Sequence, residues 1–324
     1  MKYISLADNK KHKLTFYLAM EEYVAKHLNV SEAFFMWQVE PTVICGRNQI
    51  IEKEVNLTYC RNNNIQVYRR KSGGGCVYAD MGNIMLSYIT NTYNVADAYS
   101  CYLSKIVYAL KELGIESQST GRNDIAISNG KISGNAFYHI NKKSVVHGTM
   151  LYDTNMEYMV NSITPSEIKL KSKSVDSVRS RIATIKEVSD ISIYDLKNGL
   201  RQYLCCDEII LSSNDIKEIE LIEKEYITDE FIWGRNPRYS FEKDVHIEGV
   251  GCFKVVLDID KGVIKNLNLF GDYFVNEEID TQLLNHLKNI PYNETSIRLA
   301  IKDLEISDFI VNLDNEKFIK LIIN

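Results

Sequence analysis

Between Arg69 and Ser87 the sequence reads RRKSGGGCVYADMGNIMLS, so two arginines, a lysine and a serine precede three consecutive glycines. A run without β-carbons lets backbone N–H groups converge on a carboxylate or a phosphate. Arg69, Arg70 and Lys71 would add positive charge beside it. The competing reading is a hairpin turn or bulge that needs positive φ, but three glycines flanked by cations favour an anion site. The run is neither a P-loop, since no GxxxxGKS or GxxxxGKT occurs, nor a GxGxxG opening a helix.

A second polar cluster lies in TGRNDIAISNGKISGNAFY, where Arg122, Asn123 and Asp124 open one strand and Lys131 opens the next. A hairpin there brings polar groups from both strands to one end, and a lysine suits an anionic phosphate as a point charge. In VVHGTMLYD, His147 adjoins Gly148, and a lone histidine on an apolar strand reads first as a hydrogen-bonded core residue. KSKSVDSVRSRIATI carries Lys171, Lys173, Arg179 and Arg181 among serines, the composition of a solvated loop or of a lid that orders over an anion. Cys76, directly after the glycines, is a candidate nucleophile, although no histidine in the sequence obviously pairs with it.

These groups need a scaffold, and the 324-residue chain suffices for one large domain and a smaller one. Hydrophobic residues are 45% and charged residues 25% of the chain, the composition of a folded globular protein. The net charge of −5 gives no bulk electrostatic attraction to nucleic acid. No stretch reaches the roughly 20 apolar residues of a membrane span, and MKYISLADNKKHK lacks a signal core, so a cytoplasmic protein is expected, without membrane or nucleic-acid partners. The seven cysteines form no CxxC pair, and the histidines show no metal-ligand spacing. Reduced thiols are expected, and any metal should arrive with a phosphate.

Periodicity predicts a helix over TFYLAMEEYVAKHLNV, capped by Thr15, with Phe16, Met20, Tyr23, Val24 and His27 on one side. Short strands follow at FFMWQ, TVICG, IQVYRR and NIMLSYIT, placing the glycine run between two strands. DAYSCYLSKIVYALKELG is a helix stopped by Gly114. DIAIS, KISGNAFYHI and SVVHGTMLYD form a β-meander with a tight Asn129-Gly130 turn. The chain reads as helical from Thr154 to about Asp229, with a loop-like KLKSKSVDSVRSR. CFKVVLDIDKGVIKNLNLFGDYF is then a hairpin, followed by helices at TQLLNHLKNI and NEKFIKLII. The fold class is α+β, with a mixed or antiparallel sheet, and a boundary near 245 separates residues 1–245 from a small α+β domain at 246–324.

Taken together, RRKSGGGCVYADMGNIMLS, GRNDIAISNGKISGNA, HGTMLYD and KSVDSVRSRIAT resemble, in order and spacing, the lipoate-protein ligases, and LAMEEYV and PTVICGRNQIIEKEVN extend the likeness upstream. The C-terminal hairpin is similar to the accessory domain of those enzymes. The resemblance implies the catalytic fold shared with biotin-protein ligases and a two-step reaction. Lipoate (or octanoate) and ATP with Mg2+ give lipoyl-AMP, and a lysine of an acceptor attacks the mixed anhydride. The acceptors implied are the lipoyl domains of 2-oxoacid dehydrogenase E2 subunits and the glycine-cleavage H protein. Carried over by motif, Lys131 would be the central catalytic residue. Arg70, Ser72, Gly73, Gly74, Gly75 and Asn83 would line the acyl and phosphate region. Asn123 and Asp124 would face the nucleotide, Asp124 through magnesium. Ser133, Gly134 and Ala136 would pack the adenylate, and His147 and Gly148 would border the acyl pocket. Lys173, Arg179 and Arg181 would belong to the loop over AMP.

Such chemistry needs positioning, charge stabilisation and exclusion of water, but no Ser-His-Asp set. Two readings stay open beside it. One is an ATP-independent octanoyl or lipoyl transferase of the same superfamily working through a cysteine. The other is a non-catalytic lipoate- or carrier-binding protein.

Overall fold

A computed structural model describes residues 1–8, 10–49, 51–120, 123–163, 182–233, 241–260 and 263–323. Two compact units emerge. The first comprises Met1–Cys45, Glu52–Arg69 and Cys76–Ile232; the second comprises Gly46–Ile51, Arg70–Gly75 and Trp233–Asn324. Each contains a sheet with helices, the α+β class expected from the alternating segments.

Among the described residues the first unit has eleven strands: β1 (Lys2–Leu6), β2 (Glu32–Trp37), β3 (Thr42–Cys45), β4 (Gln66–Arg69), β5 (Val77–Ala79), β6 (Asn83–Thr90), β7 (Gln118–Thr120), β8 (Asp124–Ile127), β9 (Gly130–Ile140), β10 (Lys143–Leu151) and β11 (Asp207–Leu211). Eight of them form one mixed sheet in the order β11-β1-β2-β6-β10-β9-β8-β7, and β4-β3-β5 form a smaller one. The expected meander is present as β8-β9-β10, with Gly130 at φ 146° opening β9 directly after its first turn. Gly114 closes the helix Val95–Glu112 at φ 76°, a conformation that glycine adopts without steric cost.

The helix Leu14–His27 has no acidic residue in its first turn and no side-chain cap: Lys13 occupies the cap position. Thr15 instead lies inside the helix, where its hydroxyl donates to Glu223. Phe16, Met20, Tyr23 and Val24 are buried as expected, whereas His27 is exposed and stacks on Tyr23. Burial runs almost all round this helix, and two buried glutamates, Glu21 and Glu22, sit on it. A helix enclosed on every side must satisfy such groups internally. Tyr226, from the packed helix Ser213–Tyr226, does so for Glu22 through a 3.1 Å hydrogen bond.

Periodicity missed the short outer strands. The interval after Thr154 is not helical throughout, because β11 pairs in parallel with β1 along its whole length. Neither strand carries the long alternating pattern that identifies a strand alone; each is specified by its partner.

In the second unit β12 (Phe241–Ile247), β13 (Gly251–Asp260) and β14 (Val263–Asp272) form an antiparallel sheet. Helices and 3-10 turns after residue 279 close a core around Phe253, Leu269, Leu287, Ile297 and Phe318. The expected hairpin is β13–β14, and the C-terminal helix spans Asn315–Ile323.

Candidate functional site

Lys131 is the second residue of β9, opposite Ala126 of β8, and the next pair in the ladder is Ser133 with Ile125. Ile132 is therefore an extra residue, a β-bulge. In a regular strand, residues three apart point to opposite faces. The bulge removes one step of that alternation, and Lys131 shares a face with Gly134. A β-carbon built on Gly134 would stand 2.8 Å from Lys131 Nζ and 2.9 Å from Cε, so the glycine makes room for the lysine. Asp124, paired with Gly134, places Oδ1 2.8 Å from Nζ, as an ion pair and not as an aligned hydrogen bond. Beyond the lysine, Ala183 N–H donates to Lys131 O at 2.9 Å, fixing this end of β9 from the other side.

Lys131 and Gly134 lie on the wall of a cavity of about 270 Å³. Its remaining lining is mostly apolar: Cys76, Val77 and Tyr78 from β5 and its approach, Thr149 and Leu151 from β10, and Met159, Val160 and Ile163 from the helix Met156–Ser162 and its end, with Ile182. That helix is anchored by Asn155, whose side chain accepts from Tyr158 N–H, and by Asp80, whose carboxylate accepts from Asn155 N–H at 2.9 Å. The other Asp80 oxygen accepts from Gly82 N–H. One carboxylate thus ties the turn after β5 to the helix that lines the cavity. An apolar chamber with one amine on its wall accommodates a hydrocarbon chain ending in a carboxylate.

The glycine run belongs to the second unit. Arg70 folds back over it, donating from Nε to Ser72 Oγ at 2.8 Å and from Nη2 to Gly73 O at 2.6 Å and to Gly75 O at 2.8 Å. Gly74 has φ 88°, and its N–H donates to Tyr273 O at 3.2 Å. The chain's own backbone makes two of the close approaches. A β-carbon on Gly73 would lie 2.4 Å from Tyr273 O, and one on Gly46 would lie 2.0 Å from Gly74 O. At Gly75 the nearest group is the Asp272 carboxylate, 3.4 Å from such a carbon.

The other candidates from the sequence divide into three groups. Asn123 and the buried Asn135 clasp each other: Asn123 Nδ2 donates to Asn135 O at 2.6 Å, and Asn135 Nδ2 donates to Asn123 O at 2.9 Å. Asn135 also donates to the fully buried Ser133 hydroxyl. Gly148, opposite Asn135 in the ladder, must lack a β-carbon, which would come within 1.8 Å of Asn135 Oδ1. Asn83 is fully buried and donates to Tyr78 O at 3.1 Å, and Ala136 is buried on β9. Lys173, Arg179 and Arg181, like Arg122, lie outside the described residues.

His147 follows the core reading. Its Nδ1 sits 2.8 Å from Glu21 Oε2, and Glu21 is completely buried. Ser87 Oγ donates to Glu21 Oε1 at 2.6 Å and accepts from Trp37 Nε1 at 2.9 Å, and Tyr138 OH donates to Oε2 at 3.3 Å. Burial pushes the Tyr138 hydroxyl well above its usual pKa, helped by the Glu21 charge, so it remains a donor. Asn135 and Glu21 were not singled out in the sequence. Their one signal is a polar side chain inside a segment that the pattern marks as buried.

Among the described residues no group of three or more His, Cys, Asp or Glu gathers that could hold a metal, and no helix is long and apolar enough to cross a membrane.

Comparison with known proteins gives consistent results. The family model described as lipoyl protein ligase A/B catalytic domain matches residues 13–205, and that described as bacterial lipoate protein ligase C-terminus matches residues 236–322. The chain is 34% identical over 330 aligned residues to lipoate–protein ligase 1 of Staphylococcus aureus, covering 99% of each sequence. It is 31% identical to lipoate-protein ligase LplJ of Bacillus subtilis, covering 94% of this chain and 95% of that one. The crystal structure of P. falciparum LipL1 in complex with lipoate superposes with a TM-score of 0.78 at 23% identity, covering 100% of this chain and 98% of that one, and so shares its fold.

Proposed function

We propose that this chain, which belongs to the lipoate-protein ligase family, joins lipoate to a lysine of an acceptor lipoyl domain in two steps, with ATP consumed in the first. A carboxylate does not yield its oxygen to an amine without activation. Attack of the lipoate carboxylate on the α-phosphorus releases pyrophosphate and gives lipoyl-AMP. Attack of the acceptor amine on the acyl carbonyl then forms the amide and releases AMP. The observation that carries this reading is Lys131, brought by a bulge to the wall of an apolar cavity of about 270 Å³.

The lipoyl chain fills that cavity with its carboxyl group toward Lys131. The ammonium donates to the acyl oxygen and to a phosphate oxygen, where negative charge grows in both steps. Asp124 holds Nζ in place before the substrate arrives. By motif, Gly73, Gly74, Gly75 and Ser72, shaped by Arg70, are assigned to phosphate binding. Asn83, Ser133, Ala136, Gly148 and His147 support the strands that carry the site, and Asn123 fixes the start of β8. By motif, Lys173, Arg179 and Arg181, which lie outside the described residues, are assigned to the nucleotide. Magnesium accompanies the triphosphate. Asp124 would be a protein ligand to it, with phosphate oxygens, and the ion would supply charge neutralisation at the phosphates.

Lipoate-dependent exchange of label between pyrophosphate and ATP tests the reading. Exchange is expected with wild type and falls about 10²–10³-fold with Lys131→Ala. No exchange in wild type, with acyl transfer from an acylated carrier instead, would establish the transferase.

A further inference from the structure

Cys76 lines the acyl cavity, and its Sγ stands 3.3 Å from that of Cys45, to which it donates. The pair is built into the sheet. β3 and β5 run antiparallel with Ile44 opposite Val77, and one more step of that register sets Cys45 opposite Cys76. Their exposures differ: Cys45 is completely buried, whereas Cys76 is partly open. An accessible thiol in front of a buried one is the arrangement of an attacking and a resolving cysteine. Cys60 takes no part, because burial, reinforced by the neighbouring Cys45, pushes its thiol up to about 11.

We propose that Cys45 and Cys76 form a dithiol site on the cavity wall that exchanges with the cyclic disulfide of a bound dithiolane acid and reduces it to the open dithiol. The inference rests on the lipoate reading, which places a five-membered ring disulfide in this cavity. Such a ring holds its C–S–S–C torsion far below the relaxed value near 90° and is correspondingly reducible. The Cys76 thiolate attacks one ring sulfur. The ring S–S bond breaks, a Cys76–ligand disulfide forms, and the released ring sulfur takes a proton. Cys45 then displaces the ligand from Cys76, the second ligand sulfur takes a proton, and a Cys45–Cys76 disulfide remains. Two protein thiols have lost two electrons and two protons, and the ligand has gained both. No other oxidant is required.

The test uses the full-length reduced protein under anaerobic conditions, without ATP, incubated with lipoate or with octanoate, which has no sulfur. The chain is then alkylated and its mass and peptides measured. Lipoate is expected to protect two of the seven cysteines and to yield a linked Cys45–Cys76 peptide together with one equivalent of dihydrolipoate; octanoate protects none. Cys45→Ser is expected to stop at a lipoate adduct on Cys76, and Cys76→Ser to give neither adduct nor link. Full alkylation of wild type after lipoate, or protection that maps to Cys205 and Cys206, overturns the proposal. Octanoate-dependent pyrophosphate exchange, run on the same preparation, reports the ligase reading separately because it involves no disulfide.

Discussion

Lys131 and Asp124 meet across the mouth of a β-hairpin, Nζ 2.8 Å from Oδ1, although the ladder pairs Lys131 with Ala126 and Asp124 with Gly134. The bulge at Ile132 makes this diagonal contact, and the face it selects is the face of the cavity. Removing the amine takes away the only side-chain cation on the cavity wall among the described residues. Lys131→Ala should lower adenylation about 10²–10³-fold, the usual loss for one preorganised donor to a developing oxyanion. Asp124→Asn keeps the amine but not its tether and should cost less. Pyrophosphate exchange measures both.

Gly134→Ala tests positioning without touching the ammonium. Its β-carbon would come within 2.8 Å of Nζ, the far end of a flexible side chain, so the lysine moves and the strand stays. Stability should change by less than about 1.5 kcal/mol, as for a small volume change, while turnover falls about 10²-fold, the cost of a displacement near 1 Å. Equal losses in thermal midpoint and in turnover would contradict this account.

Gly148→Ala should behave in the opposite way. The new carbon meets Asn135 Oδ1 at 1.8 Å and Gly134 O at 2.9 Å, both held in the sheet. Overpacking of this kind costs about 1–3 kcal/mol. Denaturant midpoints should drop accordingly, and the Asn135→Ala background should recover part of the loss, a coupling that a double-mutant cycle measures.

The legible and illegible parts of the chain differ in range. The meander, the helix Val95–Glu112 and the C-terminal hairpin carry their periodicity within themselves, and Gly114 and Gly130 mark their ends. β1 and β11 are short, and β11 is a strand because of β1, some 200 residues away, while β1 also leans on β2. Lys131 stood out through its small neighbours, but the bulge that aims it did not, because the register depends on β8. The glycine run looked like a place where only a ligand approaches; at Gly73 and Gly46 the protein's own carbonyls come close. Glu21 was hidden as one of two glutamates in an apolar helix, and only the return of β10 shows its partner to be His147.

Glu21 is the anchor of a buried polar network. Glu21→Ala leaves His147, Ser87 and Tyr138 facing a void and should cost about 3–5 kcal/mol. Glu21→Gln preserves shape and part of the hydrogen bonding and should cost visibly less. Urea unfolding of the two variants compares them directly.

His139 contributes to the pH dependence of stability with a definite sign. Burial holds His139 below its usual pKa, opposed by a hydrogen bond that the ring donates to the Lys143 backbone carbonyl. Between that lowered value and the unfolded value of about 6.5, the unfolded chain binds more protons. Its contribution to stability is therefore full above about pH 6.5 and declines as pH falls through that window. His139→Gln should flatten that part of the urea-midpoint profile; parallel profiles for both proteins would refute the assignment.

The central claim, lipoate ligation at a Lys131 site, is tested most directly by the intact mass of a lipoyl-domain acceptor incubated with ATP, magnesium, lipoate and either wild type or Lys131→Ala. The account predicts that the acceptor gains one lipoyl group with wild type and remains unmodified with the variant. An acceptor that stays unmodified until an acylated carrier protein replaces ATP and lipoate, or that is modified equally by both proteins, would contradict it.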